Sequence, residues 1–448
     1  MPTVIAIACA CFAVLGFVRS KFIFNPLTIM GVLWGIITPL SALGLYRINI
    51  PSEKTYQIIA IGLLAFAIGE LLGERRNLVR VRLSSGGGVR PNDAYVTNYT
   101  FLHILNLVSI IVLVMQALTV IRLIRMGYSM TYIRKLGVSD EYNVLRTSRL
   151  TAAFRGFIST PATYLMTFVI PFELFKKKKN YTIVLEGVVM IALWVISTGG
   201  GRSVLLWVMM NFVCEFAMKR KNISKATWRR IIRHLKYLAP LAGVGLLAYF
   251  LYITFQRKGS SVDLLKEAHI YYVAPLSFLD HYVREIDRHY ANLYGLGISS
   301  FYGLLYPALY VLRLFTGAYP ELVSTIYYMS FQMLEKGVDI GGDIWMNAFI
   351  TIFYQPYLDG RKLGVVIILF LFGFMTGKIF YYAKYRNNPR CELLYIMLFQ
   401  KLMFSMVRFY FTQSSQALCF ILAFFTVVRL RRRAEGGPAI AQRIQSGG

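Results

Sequence analysis

Apolar runs of roughly 17–25 residues recur along the whole 448-residue chain, a length that lets a helix cross a hydrocarbon core about 30 Å thick. Lipid offers no partner to an unpaired backbone amide or carbonyl, so such runs must fold as helices that satisfy their own hydrogen bonds. Composition agrees. Apolar residues make up 56% of the chain and charged residues only 16%, against about a quarter charged in a soluble domain. With no long polar block to form a soluble unit, residues 1–448 read as a single membrane domain.

Reading the runs against helix breakers gives spans at roughly 3–18, 22–45, 56–73, 101–124, 157–175, 181–199, 203–218, 237–255, 363–382, 393–411 and 414–430. Two more apolar stretches, about 300–316 and 344–358, either cross as a pair or lie in the interface as re-entrant helices. Pro307 and the tyrosines Tyr302, Tyr306, Tyr310, Tyr327, Tyr328, Tyr354 and Tyr357 favour an interfacial or cavity-lining position. The expected fold class is therefore all-α, a polytopic transmembrane helical bundle of about 11–13 spans. The first run lacks a basic flank and a small-residue cleavage site, so it reads as a retained helix. Cys9, Cys11, Cys214, Cys391 and Cys419 lie in or beside apolar runs and read as packing residues.

The net charge is +28. In a soluble protein that would suggest nucleic acid, but basic residues on cytoplasmic loops orient membrane proteins, and no nucleic-acid partner is expected. The segment from Lys219 to Lys236 carries Lys219, Arg220, Lys221, Lys225, Arg229, Arg230, Arg233 and Lys236 without an acid. Lys176 to Lys179, the Arg75/Arg76/Arg80/Arg82/Arg90 loop and the Arg429/Arg431/Arg432/Arg433 tail agree with it. Alternation from these anchors predicts a cytoplasmic-membrane protein with residues 431–448 as a cytoplasmic tail and the N-terminus outside. Ser84 to Gly88 then reads as a linker in a cytoplasmic loop, since no strand precedes it to make a phosphate cradle.

Three outward regions remain: about 125–156, the turn from Ser197 to Ser203, and a large extracytoplasmic segment over 256–362. They hold Arg125, Arg134, Lys135, Arg146, Arg149, Arg155, Arg202, Arg257, Lys258, Arg284, Arg288 and Arg313, against the usual bias. An anionic substrate handled at the outer face would explain this. Arg202 follows a Gly triplet, where backbone can approach a ligand and a guanidinium can grip phosphate oxygens; the plain alternative is a tight turn with a snorkelling Arg. Arg146 and Arg149, three apart, share a helix face with Tyr142. Between Asp280 and His289, i,i+4 spacing pairs Asp280 with Arg284 and Glu285 with His289. A salt-bridged surface helix is the default there, although carboxylates and His281 or His289 are also the usual general bases. The two histidines lack a third ligand at suitable spacing for zinc. Lys401 and Arg408, inside a predicted span, should face a cavity or a partner.

The Gly200-Gly201-Arg202-Ser203 turn, the large late outer segment, and the stretch from Gly341 to Thr351, running on to Tyr357-Leu358-Asp359-Gly360 and Gly364, resemble in order the bacterial oligosaccharide repeat-unit polymerases of the Wzy type. Members often show an Asn-x-Phe-like helix followed by Asp-Phe-Gly. Here Leu358 precedes the Asp and no Phe follows it, so the match is partial. The resemblance implies a GT-C-like glycosyltransferase. It would move a growing glycan from undecaprenyl diphosphate to a hydroxyl of the next lipid-linked repeat unit, building O-antigen, capsule or exopolysaccharide. The implied partners are the undecaprenyl-diphosphate-linked oligosaccharide, membrane lipids and a chain-length regulator. Charge on a leaving diphosphate is stabilised well by preorganised arginines in a dry site, so neither metal nor other cofactor is expected. Arg202, Arg146, Arg149, Arg257 and Arg408 are the expected diphosphate ligands, and Asn347 should line the outer cavity. Asp280, His281, His289 and Asp359 are the candidate bases. The rival readings are an O-antigen ligase-type transferase and a lipid-linked oligosaccharide flippase, although no internal repeat of the transporter kind is visible.

Overall fold

The computed structural model describes residues 1–75, 93–129, 132–133, 149–198, 201, 203–220, 263–347 and 349–431. They form a mostly helical bundle in the order α1 (Pro2–Ser20), α2 (Pro26–Ser41), α3 (Glu53–Glu74), β1 (Asp93–Thr97), α4 (Tyr99–Arg125), α5 (Arg149–Phe154), α6 (Thr160–Leu174), α7 (Tyr181–Ser197) and α8 (Ser203–Lys219). The order continues with α9 (Leu264–His289), α10 (Ile298–Thr316), α11 (Glu321–Tyr327), α12 (Met333–Glu335), β2 (Val338–Asp339), β3 (Trp345–Met346), α13 (Tyr354–Arg386), α14 (Pro389–Met403), α15 (Ser414–Thr426) and β4 (Val427–Arg431). A π-helical stretch, Arg155–Ser159, joins α5 to α6. Among the described residues six helices are long and apolar enough to cross a membrane: α1, α3, α4, Arg155–Leu174, α10 and α13. The apolar helices α2, α7 and α15 are shorter. This is the build of a polytopic helical membrane protein.

Two ends of the bundle can be told apart by charge. Lys176 at the end of α6 donates to the Thr97 hydroxyl, β1 pairs antiparallel with β4, Lys219 pairs with Glu392, and Arg19 pairs with Glu74 at 2.9 Å. Described members of the basic segments, among them Arg75, Lys176 to Lys179, Lys219, Arg220, Arg429 and Arg431, therefore gather at one end. Helices α2, α4, α7 and α14 all start from that end, and each is capped by an asparagine: Asn25, Asn98, Asn180 and Asn388. Each side-chain oxygen accepts from one or two of the first helical amides, which have no intrahelical partner.

The broadest helix interface joins α3 to α13. Gly69 and Gly73 face Gly373 and Gly377, and a Cβ at any of the four would run into a backbone carbonyl of the other helix. Two small-x-x-x-small motifs thus let the backbones touch, and in a membrane, where burial against lipid gains nothing, this close packing is what holds helices together.

The structure corrects several expected elements. The helix expected over 393–411 ends at Met403, and residues 404–413 form buried turns with a 3₁₀ segment, Tyr410–Thr412. The span expected to 430 ends at Thr426 and becomes β4, so the fold is not purely α. Val427-Val428-Arg429-Leu430-Arg431 alternates apolar with basic from Val428 onward, and pairing with β1 supplies the backbone partners that the departing chain would otherwise lack. The described residues of 344–353 are not helical; they hold β3, which pairs with β2, the Thr351 bridge and a turn that precedes α13. Helix α10 starts beside Asp359, and the chain is back at the same end by Ile340, whose carbonyl accepts from Asn49 at 2.8 Å. Residues 298–340 thus leave and return at one end, a path open both to a pair of crossings and to re-entrant or interfacial helices, and α10 is itself long and apolar enough to cross. The expected span at 237–255, the Ser84 to Gly88 linker and residues 432–448 lie outside the described residues.

Candidate functional site

The residues that connect α14 to α15 sit at the end opposite the basic loops. They are held as a buried plug. Ile350 donates to the Val407 carbonyl at 2.8 Å, and Ile352 donates to that of Ser405 at 2.7 Å. Trp34 Nε1 on α2 donates to the Ser405 hydroxyl at 2.9 Å, and Phe409 donates to Gln355 Oε1 at 3.3 Å. This loop carries two cations into the bundle.

Lys401, on the last turn of α14, is 4% exposed. Its Nζ lies 4.6 Å from the ring centre of Tyr410, 5.4 Å from that of Trp207 and 6.0 Å from that of Phe168. It donates to the side-chain carbonyls of Gln416 and Gln400. Among the described residues no carboxylate comes within ion-pair distance of it. An ammonium at this depth is costly unless stabilised, and neutral carbonyls with aromatic faces supply part of that. Arg408 lies deep in the same end, in a bridge with Thr351, yet it and Tyr410 keep some accessible surface.

Around this loop several buried donors have no partner: Gln355 Nε2, Gln400 Nε2, Trp207 Nε1 and the Thr412 hydroxyl. Leaving one such group unpaired costs about 1–3 kcal/mol. A concentration of spare donors beside two cations suits a ligand made of acceptors, that is, an anion with several oxygens.

The helices on either side of the expected Arg202 turn bring two tryptophans to the same region. Trp194, near the end of α7, and Trp207, in α8, flank the Tyr164 ring at 5.6 and 5.1 Å, and Trp207 is one wall of the Lys401 cage. Gly201 donates to the Thr198 hydroxyl at 3.2 Å. Arg202 itself, Arg146 and Arg257 lie outside the described residues, and of Arg149 only the backbone, at the start of α5, is described. Asn347 is exposed just after β3, a few residues before the Thr351–Arg408 bridge.

The two candidate carboxylate bases prove to be helix caps. Asp280 Oδ1 accepts from the Ser52 amide at 2.9 Å, the Thr55 hydroxyl at 2.8 Å and the Ser52 hydroxyl, so it caps α3 from a distant helix. Its Oδ2 meets Arg284 at 2.9 Å. Asp359 accepts from the Ser299 and Ser300 amides, one per oxygen, both at 2.8 Å, and so caps α10. Both carboxylates thus already serve as acceptors at helix starts. Asp359→Ala should strip two charge-assisted bonds and cost about 1.5–3 kcal/mol, read as a lower apparent melting temperature with faster amide exchange over 298–316; unchanged exchange there would remove Asp359 from this role. His289 is exposed and pairs with Glu285 at 3.1 Å, the spacing expected from sequence. His281 is half-buried, and burial first of all, with Arg284 adding to it against Glu285 and Asp280, holds its pKa below the 6.5 of a free imidazole.

One polar constellation was not singled out from sequence. Asp287 accepts from Tyr357 at 2.7 Å, pairs with Lys54 and lies 4.0 Å from Arg361 Nε. Arg361 sits at a break in α13 with φ 54° and ψ −143°, a strained backbone for any residue but glycine. Its Nη2 donates to the Tyr290 and Ala291 carbonyls, and Nη1 has no partner. Nothing in the local sequence marks a non-glycine in that conformation.

No protein-family model matches the sequence, and comparison with curated proteins and with solved structures finds no similar chain.

Proposed function

We propose that the protein is a GT-C-like membrane glycosyltransferase that polymerises undecaprenyl-diphosphate-linked repeat units at the outer face of the cytoplasmic membrane. The observation that carries the reading is the α14–α15 loop. With the last turn of α14 it presents Lys401, Arg408 and spare donors, with no carboxylate at Lys401 among the described residues, at the end of the bundle opposite the basic loops. By the positive-inside bias that end is extracytoplasmic. Six long and three shorter apolar helices among the described residues, with the expected helix at 237–255, fit a polytopic enzyme of this kind.

In this reading Lys401 and Arg408, with Arg202 from the adjoining turn, hold the diphosphate as negative charge develops on it and the glycosidic bond breaks. The contribution is electrostatic, and it is large because the site is water-poor and the donors are already in place. The acceptor hydroxyl loses its proton as it attacks the anomeric carbon. With Asp280 and Asp359 committed as caps and His289 ion-paired, His281 is the base this reading assigns. Because its pKa is depressed it stays neutral through pH 7, and the acid limb of the extension rate should lie below pH 6.5. A limb above that value, or one unchanged in His281→Gln, would exclude it.

The test of the function uses purified protein in nanodiscs with lipid-linked repeat units and no gradient. Chain extension is expected. Transfer of single repeats only would indicate a ligase-type enzyme, and movement without transfer a flippase. In cells, Arg202→Ala should keep the protein in the membrane and abolish long glycan chains, leaving single repeat units attached; full-length polymer from this variant would free Arg202 of its role.

A further inference from the structure

An apolar groove of about 620 Å³ runs along the outside of α2. It extends from Ile23 and Phe24, at the basic end, to Leu40 at the other, so it follows most of a helix about 24 Å long. Its walls are side chains of α2 with the first turns of α9 and Met403 at the end of α14. Thr28, in the first turn of α2 near the basic end, donates its hydroxyl to the Ala13 carbonyl at 3.2 Å. Free polarity is confined to the α9 end, where His269 and Tyr272 line the groove and His269 Nε2 has no partner.

The groove and the cationic loop share a wall. Met403 lies between Lys401 and Ser405, and α2 is fastened to the same loop through Trp34 and Ser405. A hydrocarbon chain lying in the groove therefore has its polar end beside α9 and the loop, and its apolar end at lipid depth. Among the described residues the groove is lined by apolar side chains along α2, and its polar residues without an internal partner lie at the α9 end, beside the cationic loop.

We infer that the α2–α9–Met403 groove seats the polyprenyl chain of the lipid-linked substrate and aims its diphosphate at the Lys401–Arg408 loop. The inference rests on the transferase reading above, and it assigns to residues 23–40 and 268–273 a role in choosing long isoprenoid substrates. Val32 and Ile36 are 50% and 55% exposed, so tryptophan placed there fills the groove without entering the core.

The experiment compares wild type with Val32→Trp/Ile36→Trp in nanodiscs, using repeat units carried either on an undecaprenyl or on a ten-carbon prenyl diphosphate. Leu107→Trp, on the exposed face of α4 (62% exposed), is the control. The groove variant should lose at least about tenfold on the long-chain substrate and stay within about twofold of wild type on the short one, because remote binding energy is what it removes. Equal losses on both substrates, or none on either, would overturn the groove. A diazirine-bearing undecaprenyl phosphate supplies a readout that does not depend on activity. Labelling of residues 23–40, suppressed by unlabelled undecaprenyl phosphate but not by the same addition of phospholipid, supports the groove. Labelling elsewhere, or suppressed equally by both, overturns it. If wild type extends neither substrate while labelling behaves as expected, the transferase reading fails and the groove stands.

Discussion

Lys401→Met is expected to slow glycan extension by two to three orders of magnitude while leaving the apparent melting temperature unchanged or raised. The two halves of this result have one physical cause. Lys401 is buried among Trp207, Tyr410 and Phe168, and among the described residues its hydrogen-bond partners are the carbonyls of Gln400 and Gln416. A charge in that position contributes little to the resting fold, and replacing buried ionic groups with apolar side chains of similar volume is often neutral or stabilising. Its value appears when an anion arrives. Loss of one preorganised donor to developing charge costs about 2.7–4 kcal/mol in such sites. Lys401→Arg keeps the charge but not the shape of a compact ammonium, and it should recover part of the rate at most. A variant that loses stability and keeps its activity would make Lys401 a packing residue and would remove the main support for an anionic substrate. Turnover and thermal unfolding of the same detergent-solubilised or nanodisc preparation decide between the two.

Much of the fold was legible because hydrophobic length is a direct constraint in lipid. Helices α1, α3, α4, α6, α7 and α8 fall within a few residues of the apolar runs that predict them. What failed were places where apolar sequence serves something other than a lipid-facing helix. Residues 404–413 carry enough apolar and aromatic side chains to read as the end of a span, yet they are a buried loop whose groups are held by Ile350, Ile352, Gln355 and Trp34. Those partners lie far away in sequence, so no local pattern announces them. The same is true of β4, whose strand form depends on β1. For the site, residue type was a partial guide. Asp280 and Asp359 drew notice as acids in an outward region, but a carboxylate that caps a helix 60 or more residues away in the chain carries the same letter as one that abstracts a proton. Lys401 was visible as a charge inside a span. The spare donors at Gln355, Gln400, Trp207 and Thr412 emerge only once the elements are assembled.

Gly373→Leu should be among the most damaging single changes outside the site, destabilising the protein by about 3 kcal/mol or more. Gly69, Gly73, Gly373 and Gly377 set the α3–α13 crossing, and at each a Cβ would meet backbone rather than a side chain that can swing away. Backbone cannot repack as a core side chain can, so the helices must separate along the interface, and in lipid there is no hydrophobic gain to draw them back. Separation reaches the functional end through two connections. Asp280 ties the start of α3 to α9, and Asp359 and Gln355, both on the first turns of α13, tie α10 and the cationic loop to it. The variant should therefore lose extension activity as well as stability, although it touches no substrate. Gly373→Ala should show the same effect in smaller degree. Gly156→Ala is the control, since nothing lies within 4 Å of a Cβ there, and a helical Gly→Ala change at an open site is neutral or favourable by about 0.5–1 kcal/mol. Unfolding midpoints and extension rates measured on the three variants should fall together in the order Gly156→Ala, Gly373→Ala, Gly373→Leu. A Gly373→Leu protein as stable as wild type would mean that α3 and α13 are not held by backbone contact, and the link from this crossing to the site would go with it.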